Sequence, residues 1–450
     1  MTLPPDPPPN PSRRDFGKTM LGALSVGAAR VTFAANTPTA RPQIKQWRAA
    51  FPALETRIHG RPLAYLDSAA TTQRPEAVLT SLLDFYRTVN ANPGSALHTL
   101  ARRAHELYQN ARTTLAQFVN AMSADEIVWV RGTTEAINLV ATAWARTELR
   151  AGDEILLTVA EHASNLLPWR LAARHAGATV RFVDVDDEGR ISLGDLESKL
   201  TKRTRLFAFS HVSNVAGFIN PASELCARAR AAGARVFIDA AQSAPHIPLD
   251  VQTLGCDFLA FSGHKMLGPM GVGVLWAHRD VLASMPPYQA GSNMAHEIDL
   301  ETEELEDAGR KFCAGTPNAS GAVALAAAVT FLGSIGRSAI QRHESELSAL
   351  GLEALQSVPG LRILGPRTAN ERVPVFSFVL EGRAPQEILR TLDEEGIAIR
   401  AGDLSSLPLL KRLGVTAAAR ASCFLYTRPE EIDRMARVLH NLAIRKEGAP

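Results

Sequence analysis

Cysteine is scarce in this sequence of 450 residues. Only four cysteines are present, and no two of them have the C-x-x-C spacing of a zinc or redox motif. A disulfide framework is therefore excluded, although one pair could be oxidised if the protein is exported. Most of the cysteines are expected to be small buried hydrophobic residues. They are Cys226, Cys256, Cys313 and Cys423.

An excess of charge of either sign is also missing. The chain has 48 Lys and Arg against 46 Asp and Glu, a formal net charge of +2. The basic residues are spread among acidic ones and form no continuous stripe. The sequence therefore gives no indication of binding to nucleic acid. With 46% hydrophobic and 21% charged residues, the composition is that of a globular enzyme. At roughly 100 to 200 residues per domain, the length favours two packed domains, and we predict no metal site.

A hydrophobic run long enough to anchor the N-terminus in a membrane is missing as well. The apolar run at 20–29 is far shorter than the roughly 20 residues of a membrane-spanning helix, so we predict no stable anchor. It follows Ser12-Arg13-Arg14-Asp15-Phe16-Gly17-Lys18, the pattern of a twin-arginine signal. We expect residues 1–40 to be a signal peptide for the twin-arginine export machinery, cleaved near Thr32–Ala35 or slightly later, and the mature protein to be periplasmic. The alternative is a basic N-terminal tail that carries no export signal.

From residue 126 onward, short β-branched runs alternate with helical patterns. This alternation implies right-handed crossovers and a mostly parallel sheet, so the middle of the chain is predicted to be an α/β domain. Polar or small residues follow these runs, and in open α/β sheets such positions converge on one ligand crevice. The predicted strands are Glu126–Val130, Glu154–Val159, Thr179–Val185, Arg205–Val212, Arg235–Asp239 and Phe258–Ser262.

A second group of elements follows an alanine-rich helical pattern. Its mixed order is typical of a smaller α+β domain that closes over the crevice. We therefore expect an N-terminal segment at 41–65, a large domain at 66–318 and a small C-terminal domain at 319–450. The predicted elements are the helices Ala319–Leu332, Ile340–Gln356, Pro385–Glu395 and Pro429–Ala443, and the strands Val375–Leu380 and Ile397–Arg400.

A lysine follows the last predicted strand of the middle domain, in the glycine-rich turn Ser262-Gly263-His264-Lys265. Desolvation there would lower the pKa of the amine, which suits an imine with an aldehyde cofactor. Taken alone, Lys265 could equally be a lysine of a surface loop. Its companions in the sequence favour the cofactor.

Asp239 and Gln242 are the first of these companions. Asp239 ends an apolar strand, so its carboxylate would lie at the mouth of the sheet. The pyridine nitrogen of pyridoxal 5'-phosphate (PLP) needs one carboxylate to stay protonated, and that makes the ring an electron sink. Gln242 is placed to donate to the phenolic oxygen. The alternative for Asp239 is a helix N-cap.

A phosphate site is predicted at Gly132-Thr133-Thr134-Glu135, which follows a strand and opens a helical pattern. Free backbone N–H groups, the helix dipole and the threonine hydroxyls would bind the phosphate there. The alternative is a capping box that needs no ligand. His162, which follows another strand, could stack flat on the cofactor ring.

Five sequence motifs, given below in chain order, resemble those of class V aminotransferase-fold proteins, most closely the cysteine desulfurase and selenocysteine lyase branch. The resemblance runs from about Tyr65 to the C-terminus and implies PLP fold type I. The motifs are Arg131-Gly132-Thr133-Thr134-Glu135, His211-Val212-Ser213-Asn214-Val215, Phe237-Ile238-Asp239-Ala240-Ala241-Gln242, Phe261-Ser262-Gly263-His264-Lys265 and Ala314-Gly315-Thr316-Pro317-Asn318.

The resemblance implies a role for each matching residue. Lys265 would form the Schiff base, with Asp239 at the pyridine nitrogen and His162 stacked on the ring. Arg420 would bind the substrate α-carboxylate through a bidentate guanidinium contact. We expect Arg400 to lie in the same substrate site. The other implied cofactor contacts are Asn214 and Gln242 near the phenolic oxygen, Thr133, Thr134, Ser262 and His264 around the phosphate, and Gly315 and Thr316 from the second subunit of a homodimer.

The chain departs from the desulfurases where those enzymes carry a mobile cysteine. Ser405 stands at that position, and a serine hydroxyl, which is not ionised near neutral pH, is a poor sulfur acceptor. We therefore expect no protein persulfide. Substrate recognition has also changed, since Gly94 and Ser95 replace a histidine and an arginine of the family. Asp403 and Leu404 likewise replace paired histidines.

The leading hypothesis is a periplasmic PLP-dependent transferase or lyase acting on the amino group of an amino acid or an amino-acid-containing metabolite. Exported enzymes that tailor siderophore peptides are the analogy. After the substrate has bound PLP, Lys265 would be the general base for the α-proton. One alternative is a cysteine desulfurase, or a cysteine or selenocysteine lyase that needs no protein thiol. The other is a PLP-binding scaffold without turnover, against which the intact Lys265 and Asp239 argue.

Replacing Arg13 and Arg14 together by lysine should keep the protein in the cytoplasm, because lysine substitutes poorly for the arginine pair of a twin-arginine signal. Cell fractionation and immunoblotting measure the distribution. Arg30→Lys, outside the pair, is the matched control and should be exported normally. Equal periplasmic recovery of the double variant and the unchanged protein would remove the export prediction.

Overall fold

The computed structural model describes residues 40–94 and 97–445. The predicted signal peptide, apart from its last residue, lies outside this range, as does Ser95. The helices are α1 Ala40–Ala49, α2 Glu76–Thr88, α3 Thr99–Phe118, α4 Thr133–Glu148, α5 Leu167–Ala176, α6 Leu193–Lys199, α7 Ala222–Ala231, α8 Ser243–His246, α9 Val251–Leu254, α10 Arg279–Ser284, α11 Ala319–Ile335, α12 Arg337–Gln356, α13 Pro385–Glu394, α14 Leu407–Arg412 and α15 Pro429–Ile444.

Two larger sheets and several short strand pairs accompany these helices. The strands are β1 Arg57–Ile58, β2 Arg61–Pro62, β3 Ala64–Tyr65, β4 Ile127–Val130, β5 Glu154–Thr158, β6 Thr179–Val183, β7 Thr204–Ser210, β8 Arg235–Asp239, β9 Phe258–Ser262, β10 Gly273–Ala277, β11 Ala295–Ile298, β12 Glu303–Leu305, β13 Leu361–Leu364, β14 Val375–Leu380, β15 Ile397–Ala398, β16 Arg400–Gly402 and β17 Ala418–Ser422.

The main sheet has seven strands in the order β4-β10-β9-β8-β7-β5-β6. Neighbours from β9 to β6 pair in parallel, whereas β10 is antiparallel to both β4 and β9. The predicted α/β class with a mostly parallel sheet is confirmed. All six strands predicted for this part of the chain are present, but β10 was not predicted from the sequence.

Both faces of the main sheet are covered, and alternate strand residues supply two separate cores. Phe207 and Phe209 belong to the core on one face, while Phe237 and Phe258 belong to the core on the other. Each of these four side chains is fully buried. Because apolar residues fill both faces, the polar residues of these strands concentrate at their ends.

The second larger sheet is antiparallel, with the order β13-β14-β17-β16. Helix α12 contacts β13 and β14, whereas α11 contacts α2 and α3. The N-terminal segment joins this part of the fold, because β3 pairs in parallel with β15. The division into domains at 66–318 and 319–450 stays a prediction.

No single helix among the described residues is long and apolar enough to cross a membrane. Helices α11 and α12 are together long and apolar enough by length and composition, but they are bent by 79° at the break between them.

Gly351 lies buried in α12, where an added Cβ would overlap the ring of Phe376 in β14. Gly351→Ala should therefore lower the free energy of unfolding by about 1–3 kcal/mol, the usual cost of overpacking a core. Gly333 of α11 is the matched control, since an added Cβ there meets nothing within 4 Å. Gly333→Ala should gain up to about 1 kcal/mol of helix propensity. Urea unfolding compares the two variants, and equal stability would contradict the packing argument.

Candidate active site

A pocket of about 220 Å³ lies at the carboxyl ends of the parallel strands. This is the edge where open α/β sheets bind ligands, because side chains that follow neighbouring strands converge there. All but two of the predicted site residues line it. They are Thr133, Thr134, His162, Asn214, Asp239, Gln242, Ser262, His264, Lys265, Arg400 and Arg420.

Lys265 and Asp239 are the central charged pair of this pocket. Burial lowers the pKa of Lys265 to about 8, although the Asp239 carboxylate opposes that shift. Burial likewise raises the pKa of Asp239, against the Ala241 N–H that its Oδ1 accepts at 2.9 Å. Asp239 is not an N-cap, since α8 begins at Ser243 with Gln242 as its N-cap residue. Lys265 therefore has an accessible neutral, nucleophilic form close to physiological pH.

The first turn of α4 carries the predicted phosphate site. Ser262 Oγ accepts the backbone N–H of Thr133 at 2.9 Å and lies 2.9 Å from Thr133 Oγ1. The Thr134 hydroxyl lies 2.8 Å from Ser164 Oγ. The N-cap residue is Gly132, which has no side chain, so the capping-box alternative does not apply. Hydroxyls gathered at the N-terminus of a sixteen-residue helix suit a phosphate.

His162 is held as a neutral ring. Burial lowers its pKa to about 4, and the charges of Lys265 and Arg420 act in the same direction. Its Nδ1 accepts the backbone N–H of Ser164 at 3.1 Å, which fixes the ring orientation. A neutral aromatic ring in this pocket suits stacking on a flat cofactor. That contact stays a prediction.

Glu161, the residue before His162, is the centre of a buried hydrogen-bond network that the sequence did not reveal. Its fully buried carboxylate accepts hydrogen bonds from Thr158 Oγ1 at 2.5 Å, Asn165 Nδ2 at 2.7 Å and Ser210 Oγ at 2.7 Å. Burial is the main cause that raises its pKa, to about 7. Thr158 and Asn165 lie close to Glu161 in the sequence, but Ser210 comes from β7, 49 residues away, so local sequence could not have identified the whole network.

Arg420 and Arg400 lie opposite each other in paired strands β17 and β16. Arg420 is 3% exposed, donates to the Asn214 carbonyl oxygen at 3.1 Å and lies 3.3 Å from Asp67. Its Nε has no hydrogen-bond partner among the described residues. Arg400 is half exposed and lies 3.5 Å from Asp67. Asp67, which the sequence analysis did not single out, therefore contacts both arginines of the predicted substrate site.

Ser405 lines the same pocket on a tethered loop. Asn214 Nδ2 donates to the Leu404 carbonyl oxygen at 3.0 Å, and its Oδ1 accepts from Ser406 Oγ at 3.1 Å. The Ala163 N–H donates to the Ser405 carbonyl oxygen at 2.8 Å. Leu404 and Ser405 both have left-handed φ angles, 52° and 53°. Asn214, predicted to reach the cofactor, thus uses its amide to hold the loop that presents Ser405.

Gly315 and Thr316 do not line the Lys265 pocket. They follow the short helix Ala308–Phe312, and Thr316 lines a different cavity of about 370 Å³. Their predicted contact with the phosphate of a second subunit stays a prediction. Among the described residues, no group of three or more His, Cys, Asp and Glu side chains is arranged to hold a metal ion.

The residues present fit PLP. A buried amine with a lowered pKa, a buried carboxylate and a hydroxyl-lined helix N-terminus share one pocket. Gln242 Oε1 is buried there without a hydrogen-bond partner among the described residues. Lys265 would hold the cofactor covalently, Asp239 would face its pyridine nitrogen, and the α4 turn would bind its phosphate. The fold and site define a PLP-dependent enzyme.

The chain belongs to the class V aminotransferase family, whose sequence pattern matches residues 64–435. A probable cysteine desulfurase from Halalkalibacterium halodurans is 43% identical over 389 residues, covering 86% of this chain and 95% of that protein. A cysteine desulfurase from Pectobacterium atrosepticum is 44% identical over 400 residues, covering 89% and 98%. The crystal structure of the Escherichia coli cysteine desulfurase CsdA matches with a TM-score of 0.81 and 37% identity, covering 88% and 98%.

The rate at which apoprotein captures PLP on Lys265 should rise with pH, reach half of its maximum near pH 8 and level off above that, because the neutral amine attacks the aldehyde and its pKa is lowered from 10.5 to about 8. Stopped-flow absorbance measures this rate, and borohydride reduction with peptide mapping locates the adduct. Asp239→Asn should move the midpoint to lower pH, since the carboxylate raises the pKa of Lys265. A midpoint near pH 10.5, or one unmoved in Asp239→Asn, would contradict this electrostatic account.

Proposed function

We propose that this enzyme is a carbon–sulfur lyase that acts on cysteine or a closely related β-thiol amino acid and needs no protein thiol. The single observation that carries the proposal is that Ser405 lines the active-site pocket. The family resemblance assigns this position to the acceptor cysteine of the desulfurases. The sulfur substrate is inferred from the printed names of the relatives, which are cysteine desulfurases. More broadly, the enzyme acts on the amino group of an amino acid or an amino-acid-containing metabolite.

The side chains of the pocket have separate tasks in this proposal. The buried Arg420, with its unpartnered Nε, binds the α-carboxylate of the substrate. Lys265 Nζ, which would hold PLP covalently in the resting enzyme, would take the α-proton of the bound substrate, a role that suits its lowered pKa. PLP supplies an electron sink, and Asp239 stabilises the protonated pyridine nitrogen that makes it one. The neutral ring of His162 adds no second cation beside Lys265.

The fate of the sulfur separates the lyase from a desulfurase. In a lyase the carbon–sulfur bond breaks with its electrons on sulfur, and water then completes the conversion of cysteine to pyruvate, ammonia and hydrogen sulfide. A desulfurase instead transfers sulfur to a thiolate and releases alanine. None of the described cysteines lines the Lys265 pocket. Three of them, Cys226, Cys256 and Cys423, are buried, and burial raises the pKa of each thiol.

We also propose that the enzyme is an exported homodimer. Support for the dimer comes from Gly315 and Thr316, which the family resemblance assigns to the phosphate site but which line no part of their own chain's pocket. Support for export comes from Arg13 and Arg14. The twin-arginine route carries folded proteins, so PLP can be loaded in the cytoplasm before export.

The holoenzyme incubated with cysteine should release pyruvate and hydrogen sulfide in equal amounts, because no described cysteine lines the Lys265 pocket to accept the sulfur and leave alanine. Amino-acid analysis and a sulfide assay measure the products, and mass spectrometry searches for persulfides. Lys265→Ala should reduce turnover by about 10³-fold or more, as expected when both the nucleophile and the base are lost.

Cys313→Ser is the control, because that thiol is the remaining partly exposed cysteine, and its products should equal those of the unchanged enzyme. Alanine as the main product, or a persulfide on Cys313 or Cys423, would overturn the lyase and restore the desulfurase. Ser405→Cys should not convert the enzyme fully into a desulfurase, because Gly94, Asp403 and Leu404 still differ from the family.

A further inference from the structure

A third cavity, of about 260 Å³, lies between α3 and the loop after the short helix Ala308–Phe312. None of its lining residues lines the Lys265 pocket. One wall combines a thiol with buried polar side chains and is formed by Tyr108, Arg112 and Cys313. Cys313 is partly exposed, whereas the other three cysteines are buried.

Arg112 is a buried cation that lacks a carboxylate partner. It is 3% exposed, and no Asp or Glu among the described residues forms a salt bridge with it. Its Nη2 donates to Cys313 Sγ at 3.4 Å, while its Nε and Nη1 have no hydrogen-bond partner among the described residues. An unpaired buried charge is costly, so this guanidinium favours an anion beside it.

Tyr108 compensates only part of that charge. Its ring lies 5.7 Å from the Arg112 guanidinium carbon, a cation–π contact. The Tyr108 hydroxyl is buried without a partner among the described residues. Burial lowers the pKa of Arg112, but the neighbouring Cys313 and Tyr108 raise it overall. The cavity thus joins a thiol to two buried, incompletely satisfied polar groups.

Cys313 Sγ has two hydrogen-bond contacts in this cavity. It lies 3.8 Å from the Gly309 carbonyl oxygen, to which the thiol donates weakly. It also accepts from Arg112 Nη2 at 3.4 Å. The thiolate is the nucleophilic form of cysteine, and the Arg112 guanidinium lies where it can stabilise that negative charge during attack on a disulfide.

We propose that Cys313, beside the buried guanidinium of Arg112, is a modification site that reacts with small disulfide-containing molecules. The thiolate sulfur attacks one sulfur of the disulfide, and a new S–S bond forms as the old one breaks. The departing thiolate takes a proton from water. Cys313 is oxidised to a mixed disulfide while the small disulfide is reduced to one thiol, so no further oxidant is needed. This proposal does not rest on the lyase activity.

The PLP-loaded full-length protein is treated with hydroxyethyl disulfide, and mass spectrometry follows the modification of each cysteine. Arg112→Gln should slow the reaction of Cys313 by about ten-fold or more, because the thiolate loses its cation. The matched control is Arg310→Gln, since Arg310 lines the same cavity but is already paired with Asp125 at 3.0 Å. Its rate should stay within about two-fold of the unchanged protein's.

Alkylation adds a readout that exposure alone cannot produce. The unchanged protein should react faster with anionic iodoacetate, relative to neutral iodoacetamide, than Arg112→Gln does, because the guanidinium attracts the anion. If Arg112→Gln does not fold, Arg112→Lys should keep both the cation and the preference for iodoacetate. An unreactive Cys313, or equal rates in Arg112→Gln and Arg310→Gln, would overturn the proposal and leave a neutral, partly exposed thiol.

Discussion

Burial of an amine and a carboxylate in the same pocket is the constraint on which the rest of the site depends. Desolvation disfavours both charges, lowering the pKa of Lys265 and raising that of Asp239, while their mutual attraction works against both shifts. On a solvent-exposed surface, desolvation would not shift the pKa of either group in this way. The apolar cores on both faces of the main sheet create the low-polarity surroundings, and the ends of β8 and β9 put the two groups there.

The second sheet supplies the other half of the site. Arg420 is carried by β17, but its contacts reach Asn214 after β7 and Asp67 near the N-terminus. Asp67 itself forms an isolated bridge with Ser422 at the end of β17. The group proposed to bind the substrate carboxylate is therefore fixed by three distant parts of the chain. Sequence separation of more than 200 residues between Arg420 and Asn214 explains why only packing reveals this arrangement.

The proposed lyase chemistry depends on the loop that carries Ser405. Two consecutive left-handed residues, Leu404 and Ser405, are held in place by the amide of Asn214 and by the backbone of Ala163. Left-handed φ angles are costly for residues other than glycine, so the surrounding hydrogen bonds must hold this conformation. A hydroxyl in that position cannot serve sulfur as a thiolate does. The loop is therefore consistent with the proposed lyase, in which the sulfur would leave without a protein acceptor.

The sequence by itself determined the alternating strands and helices of the main sheet, the family and its cofactor, and the residues gathered at the strand ends. These follow from local periodicity and from motifs that lie within a few residues. Strand β10, the contact of Glu161 with Ser210 and the contact of Arg112 with Cys313 were decided only by the tertiary structure. Hydrogen bonding and desolvation act between atoms that are close in space, and short patterns along the chain do not record which distant segments meet.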